Sequence, residues 1–153
     1  MISHEPDRQP GRKRVADLLA KAEMSELNAT WADVDPKPAV QPIRGPETGL
    51  VMIKGRIGGG GSPFNLGEAT VTRATVRLET GTVGHAHALG TDREKVQLAA
   101  IFEALWQEAE TQSLVEERLL KAIEARLAAA DSQKAEETAA TRVDFFTMVR
   151  GED

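Results

Sequence analysis

The sequence predicts an α+β fold, in which an antiparallel sheet of three to four strands packs against a pair of helices. Apolar and polar residues alternate with the two-residue period of a strand from about residue 50 to residue 89, whereas helical spacing governs the segments on either side. Two pairs with capping-box spacing, Thr91 with Glu94 and Ser113 with Glu116, indicate that two helices begin after the strand region.

The N-terminal third is predicted to be helical between residues 12 and 34, after a polar tail (1–11) that we expect to be disordered. Apolar residues at three- and four-residue spacing define one face of the first helix: Val15, Leu18, Leu19 and Ala22. Ser25 is a suitable N-cap for a second, short helix. Four prolines then occur in residues 35–46, which predicts an extended connector.

Three strands are predicted in the middle of the chain, at about residues 50–57, 68–78 and 82–89. The apolar side of the second strand changes near Arg73-Ala74, which suggests a bulge there. The third strand carries Gly84, Ala86 and Ala88 on one side, and such small side chains let another element approach closely.

The C-terminal half is predicted to hold a helical pair, at about residues 92–110 and 113–135, followed by a fourth strand at 142–149. In that last segment Val143, Phe145 and Val149 lie on one face of the predicted strand, and Phe146 and Met148 lie on the other. Both faces of the strand are therefore expected to be buried against other parts of the protein or a partner. These three residues, Phe145, Phe146 and Met148, are expected to pack in the core or against another subunit. We expect one domain over residues 1–153, with its main body at 47–153.

Composition limits the functional classes. A net charge of −5 and an aromatic content of 4% argue against a general nucleic-acid binder. The sequence has no apolar run of membrane-spanning length and no secretory signal pattern, so a cytoplasmic protein is expected. The chain has no cysteine, which excludes disulfides, thiolate metal sites and iron–sulfur ligation by this chain. The basic cluster Arg12-Lys13-Arg14 is interpreted as a solvated helix start.

The glycine-rich segment 58–61 has two interpretations. Its backbone amides could cradle a phosphate, but the segment leads through Ser62 and Pro63 into a strand and lacks the lysine of a P-loop. A connection between two strands is therefore favoured. Ser62 has no nucleophile-elbow setting, so serine catalysis has little support.

Six side chains are candidates for contact with a substrate or a partner. Lys54, Arg56, Arg73 and Arg77 lie on neighbouring predicted strands and could bind a triphosphate, although solvated positions or salt bridges explain them equally well. His85 and His87 project from one strand face and could share a metal, but two ligands do not complete a site. No metal site and no catalytic residue are assigned.

Four blocks of sequence are distinctive: residues 49–56 (GLVMIKGR), 63–73 (PFNLGEATVTR), 84–90 (GHAHALG) and 141–153 (TRVDFFTMVRGED). Together they resemble the PhnG family, whose members are small subunits of the bacterial carbon–phosphorus lyase machinery. Blocks of this kind in this order are specific, whereas the N-terminal helices add little. The glycine run 58–61 departs from the Gly-Gly-x-Gly form of relatives, which leaves the role of that loop open.

The resemblance implies an accessory subunit that supports the ATP-dependent synthesis of alpha-D-ribose 1-methylphosphonate 5-triphosphate with release of adenine. It implies partners of the PhnI, PhnH and PhnJ types, with ATPase subunits of the PhnK and PhnL types attached, and it places catalysis on PhnI. ATP would be a substrate of the complex, and no cofactor is expected on this chain. Two alternatives remain: an assembly module without substrate contact, and a self-sufficient enzyme.

Overall fold

The computed structural model describes residues 11–150, of which residues 141–150 are described for their backbone alone. The α+β class is confirmed. The elements, in chain order, are α1 (Arg12–Ala20), α2 (Met24–Asp33), β1 (Val40–Gly55), β2 (Phe64–Leu78), β3 (Val83–Leu89), α3 (Arg93–Trp106), α4 (Ala109–Leu114), a π-helical segment (Val115–Leu120) and α5 (Lys121–Arg150). Within the described residues, none of the helices has the length and apolar character needed to cross a membrane.

The sheet has three antiparallel strands in the order β1-β2-β3. β1 begins at Val40, well before the predicted start at residue 50, so most of the proline-rich connector belongs to the sheet. β1 is an outer strand, and its Pro42 and Pro46 are tolerated there because a strand edge does not need every backbone N–H. The predicted connector and the first predicted strand are therefore one element over much of their length.

The predicted bulge in β2 near Arg73-Ala74 is wrong, because the irregularity lies on the opposite strand. Arg44 pairs with Thr75 and Glu47 pairs with Arg73, so Gly45 and Pro46 of β1 face the single residue Ala74. From Thr72 to Leu78 the side chains of β2 alternate without a break, and the buried ones are Thr72, Ala74, Val76 and Leu78. The apolar side of the sequence pattern changes there because Thr72 is polar although it is fully buried.

Helix α3 forms the centre of the molecule. Its residues from Leu98 to Trp106 are all buried, as expected for a helix enclosed between a sheet and other helices. The sheet contacts one side of α3, and α1, α2 and the π-helical segment contact the others. The predicted close approach at β3 is confirmed, since a Cβ added to Gly84 would lie 2.2 Å from the carbonyl oxygen of Ala100.

The C-terminal helices begin at other residues than the capping boxes predicted. Asp92 caps α3, with its side chain accepting a hydrogen bond from the Lys95 backbone nitrogen. α3 ends at Trp106, and the next helix begins after Glu108, so Ser113 is an interior residue and not a cap. From Ala109 onward α4, the π-helical segment and α5 follow one another in helical conformation.

The predicted fourth strand at residues 142–149 is also wrong, because this segment is the end of α5, which continues to Arg150. The alternating apolar residues suggested a two-residue period, but the preceding segment is rich in alanine, glutamate and lysine and contains neither glycine nor proline. Nothing in the sequence ends the helix before Gly151. The side chains of Phe145, Phe146 and Met148 lie outside the described residues, as do residues 1–10 of the predicted tail at 1–11.

The basic cluster of α1 is not simply solvated. Arg12 donates to the buried carboxylate of Glu103 at 2.6 Å, and Arg14 donates to Glu116 at 3.1 Å. These hydrogen bonds with Glu116, together with those to Glu124, raise the pKa of Arg14. The N-cap of α2 is Glu23, whereas the sequence predicted Ser25. Glu23 forms a reciprocal capping box with Glu26.

Candidate functional site

Four of the six candidate side chains lie together on the sheet face that α3 does not cover. β2 contributes Arg73 and Arg77, and β3 contributes His85 and His87. The strand register places Arg73 opposite His87 and Thr75 opposite His85. These four residues and Arg77 alternate along their strands with residues that are buried towards α3. We call these five residues, Arg73, Thr75, Arg77, His85 and His87, the polar face.

His85 has a fixed position within the polar face. Its ring Nδ1 lies 3.0 Å from the hydroxyl of Thr75, so its Nε2 is left for another contact. Its backbone nitrogen donates to the carboxylate of Glu103 at 2.8 Å, which attaches this strand edge to α3. The sheet therefore presents His85 on a supported backbone and not on a loop.

The two arginines of the polar face differ in their partners. Arg73 donates to Glu47 of β1 at 2.7 Å, and Arg44 lies 4.0 Å from the same carboxylate. Arg77 faces Gln41 and Val83 and makes no ion pair within the described part of the chain. The Arg77 guanidinium is therefore the group that can bind an external anion without breaking an existing pair.

Lys54 and Arg56 do not join this group, contrary to the prediction of a single basic patch. Lys54 pairs with Asn65, far along β2 from Arg73. At roughly 3.3 Å per residue, eight residues of strand separate the two positions by ~25 Å. Lys54 and Arg56 thus belong to the far end of the β1-β2 hairpin and cannot contact the same triphosphate as Arg77.

The polar face can bind an anion, but it does not have the groups of a complete catalytic site. Among the side chains described, those of residues 11–140, no group of three or more histidine and acidic residues could hold a metal. His85 and His87 are two ligands without a third.

The predicted strand connection at 58–61 is confirmed, because Ile57–Gly59 is a short 3₁₀ turn that leads into β2 and not into a helix.

Two buried polar residues support the site and were not identified from the sequence. Glu103 is 2% exposed and accepts hydrogen bonds from Arg12, the His85 backbone and Gln107. Thr72 donates to the carbonyl oxygen of Gly90 at 2.7 Å and thereby fixes the end of β3. A signal for Glu103 did exist, since it is a lone charge in the apolar run 96–106.

Comparison with known proteins gives two findings. Residues 10–151 match the family described as phosphonate metabolism protein PhnG. The chain is also similar to the alpha-D-ribose 1-methylphosphonate 5-triphosphate synthase subunit PhnG of Rhizobium meliloti (strain 1021). The two sequences are 63% identical over 142 residues, which cover 93% of this chain and 90% of that protein.

Proposed function

Because the chain belongs to the PhnG family, we propose that it is an accessory subunit of the carbon–phosphorus lyase core complex. In this role it supports the ATP-dependent synthesis of alpha-D-ribose 1-methylphosphonate 5-triphosphate, with release of adenine. The observation that carries the proposal is the 63% identity, over nearly the whole chain, to a protein named as a subunit of that synthase.

The reaction substitutes one group for another at the ribose of ATP. A phosphonate oxygen forms a bond to C1′, the bond from C1′ to adenine N9 breaks, and adenine leaves with the electron pair and takes up a proton. Such a step needs a group that assists the departure of adenine. None of the five residues of the polar face is a carboxylic acid. We propose that catalysis lies on a PhnI-type subunit, as the resemblance to the PhnG family implies.

The polar face has a supporting role in this proposal. A triphosphate carries several negative charges, and it matches a guanidinium, an imidazole and a hydroxyl on a rigid sheet. Arg77 and His85 have donor positions to offer, whereas Arg73 is held by Glu47. We infer that Arg77 and His85 contact the triphosphate of ATP or of the product, with His87 beside them.

The expected partners are subunits of the PhnI, PhnH and PhnJ types, with PhnK- and PhnL-type ATPases attached. Cleavage of the carbon–phosphorus bond belongs to the PhnJ type, consistent with a chain that has no cysteine for an iron–sulfur cluster. No cofactor is assigned to this chain, and the complex works in the cytoplasm.

The test is reconstitution of adenine release from ATP and methylphosphonate. The purified chain alone should release no adenine, and the other synthase subunits should lose most of their activity when this chain is omitted. Adding the chain back should restore the rate. Full activity without the chain would contradict the accessory role. Turnover by the chain alone that disappears in His85→Ala and His87→Ala variants would instead make it an enzyme in its own right.

A further inference from the structure

The distal part of the β1-β2 hairpin is an apolar arm that the rest of the described chain does not cover. We define the hairpin arm as residues 47–55 of β1 and 64–72 of β2. Its exposed large apolar side chains are Leu50, Val51, Met52, Ile53, Phe64 and Leu66, with exposed fractions between 40% and 66%. Monomeric proteins rarely leave a continuous apolar surface of this kind in water.

Both faces of the hairpin arm are apolar. Successive side chains of a strand point to opposite faces, so Val51 and Ile53 lie on one face and Leu50 and Met52 on the other. All residues from 49 to 54 are exposed, which means that neither face is packed against a helix. An arm that is apolar on two sides needs a binding site with two walls.

The tip of the arm is cationic. Lys54 lies at the end of β1 and Arg56 follows it, and neither forms an ion pair with any described residue. The two acidic residues of the arm, Glu47 and Glu68, lie nearer its base, opposite Arg73 and Met52. The charge that complements the tip is therefore negative and comes from another molecule.

From this pattern we propose that the hairpin arm inserts into an apolar cleft of a different subunit of the complex, with carboxylates at the inner end of the cleft receiving Lys54 and Arg56. This inference rests on the proposed function in one respect, namely that the chain works within a complex. It adds the surface that binds and the chemistry of the site that receives it.

A second copy of this chain fits the arm less well. Apart from the arm and its tip residue Ile57, the exposed large apolar residues among those described are Ile43 and Leu89, which cannot line a cleft. Packing the arms of two copies against each other would cover one face of each arm and leave the other face in water. The two-sided pattern therefore favours a partner of different sequence.

Matched substitutions on one strand test the apolar part. Ile53 on the arm and Ile43 outside it are 43% and 45% exposed, so Ile53→Glu and Ile43→Glu place the same charge at equal exposure. Each variant is co-expressed with the other synthase subunits, and its melting temperature is measured on the isolated chain. We expect Ile53→Glu to reduce recovery of the complex at least tenfold, and Ile43→Glu to leave it unchanged. Equal recovery with a folded Ile53→Glu chain would overturn the proposal.

Photo-crosslinking identifies the occupant. Positions 52 and 53 lie on opposite faces of the arm, and a benzophenone side chain at either position should crosslink to one and the same partner subunit. A benzophenone at position 134 on α5 should not crosslink to that subunit. Crosslinks to a second copy alone would overturn the proposal. The double variant Lys54→Glu/Arg56→Glu should weaken binding to the partner and reduce the dependence of that binding on salt. An unchanged salt dependence would contradict the proposal that carboxylates line the inner end of the cleft. If the wild-type chain fails to join any complex, the proposed function itself is wrong.

Discussion

The carboxylate of Glu103 on α3 lies 2.8 Å from the backbone nitrogen of His85 on β3 and accepts its hydrogen bond. The same carboxylate pairs with Arg12 of α1 at 2.6 Å, so one buried side chain joins the sheet edge, the central helix and the first helix. Such a carboxylate is stabilising only while its partners remain, because a buried charge or donor without a partner is costly.

Glu103→Ala should therefore destabilise the isolated chain strongly, by about 3 kcal/mol, because it leaves the His85 N–H and the Arg12 guanidinium without their acceptor. Glu103→Gln keeps an oxygen for one donor and should cost less. Urea unfolding of both variants measures the difference. An Ala variant as stable as the wild type would mean that water replaces the carboxylate.

Gly84→Ala should also destabilise the fold, by about 1–3 kcal/mol, because the new Cβ would lie 2.7 Å from the Cβ of Ala104 as well as against the Ala100 carbonyl. Gly49→Ala is the matched control, since nothing lies within 4 Å of its added Cβ. Thermal unfolding should separate the two variants. Equal melting temperatures would show that β3 can move away from α3 without penalty.

Arg77→Ala should raise the KM for ATP in the reconstituted synthase about tenfold, which corresponds to roughly 1.4 kcal/mol of lost binding. Lys134→Ala removes an equally positive but distant side chain and should have no effect. Adenine release as a function of ATP concentration gives the comparison. If Arg77→Ala changes subunit recovery while KM stays constant, the polar face binds a partner and not the triphosphate.

Deleting residues 141–153 should abolish co-purification with the PhnI-type partner, whereas deleting residues 1–10 should have a mild effect. The deleted segment contains Phe145, Phe146 and Met148, and burying each such side chain contributes roughly 1.5–3 kcal/mol. Pull-down and melting temperature are the two measurements. If the truncated chain keeps both at wild-type values, the segment is neither core nor interface.

Lys13→Ala should raise the pKa of Asp17 towards the ordinary value of an aspartate. The hydrogen bond from Lys13 holds this pKa down in the folded chain, and His87 adds a weaker effect in the same direction. A lowered folded pKa means that this pair stabilises the fold above the unfolded pKa and stops doing so as the pH falls through the folded one. NMR titration of the Asp17 carboxyl carbon tests the shift.

The sequence predicts those parts of the fold in which local pattern and burial agree. The alternation in β3 and the small residue at Gly84 depend on the same contact with α3, so the strand and its close packing could be inferred together. Arg73, Arg77, His85 and His87 were candidates for the same reason, since they occupy the outward positions of regular strands. That the two arginines and the two histidines share one face follows from the pairing of β2 with β3.

Other features depend on contacts that a local pattern does not contain. Thr72 and Glu103 are polar by type but buried by position, because their hydrogen-bond partners come from distant parts of the chain. The distance of Lys54 from Arg77 follows from the length of the hairpin, which required β1 to begin at Val40. Residues 142–149 have the apolar alternation of a strand, but they directly follow a helix that no residue terminates. Extending an existing helix is easier than starting a new element, so α5 continues through this segment.

The open edge of β1 affects how readily the chain aggregates when its partners are absent. Pro42 and Pro46 each remove a backbone donor from the outer strand, so its first half is a poor template for edge-to-edge pairing. Residues 47–55 contain no proline and are rich in apolar side chains, which makes them the aggregation-prone half. We therefore expect a surplus of this chain over its partners to aggregate through that segment, and co-expression with the partners to reduce the aggregation.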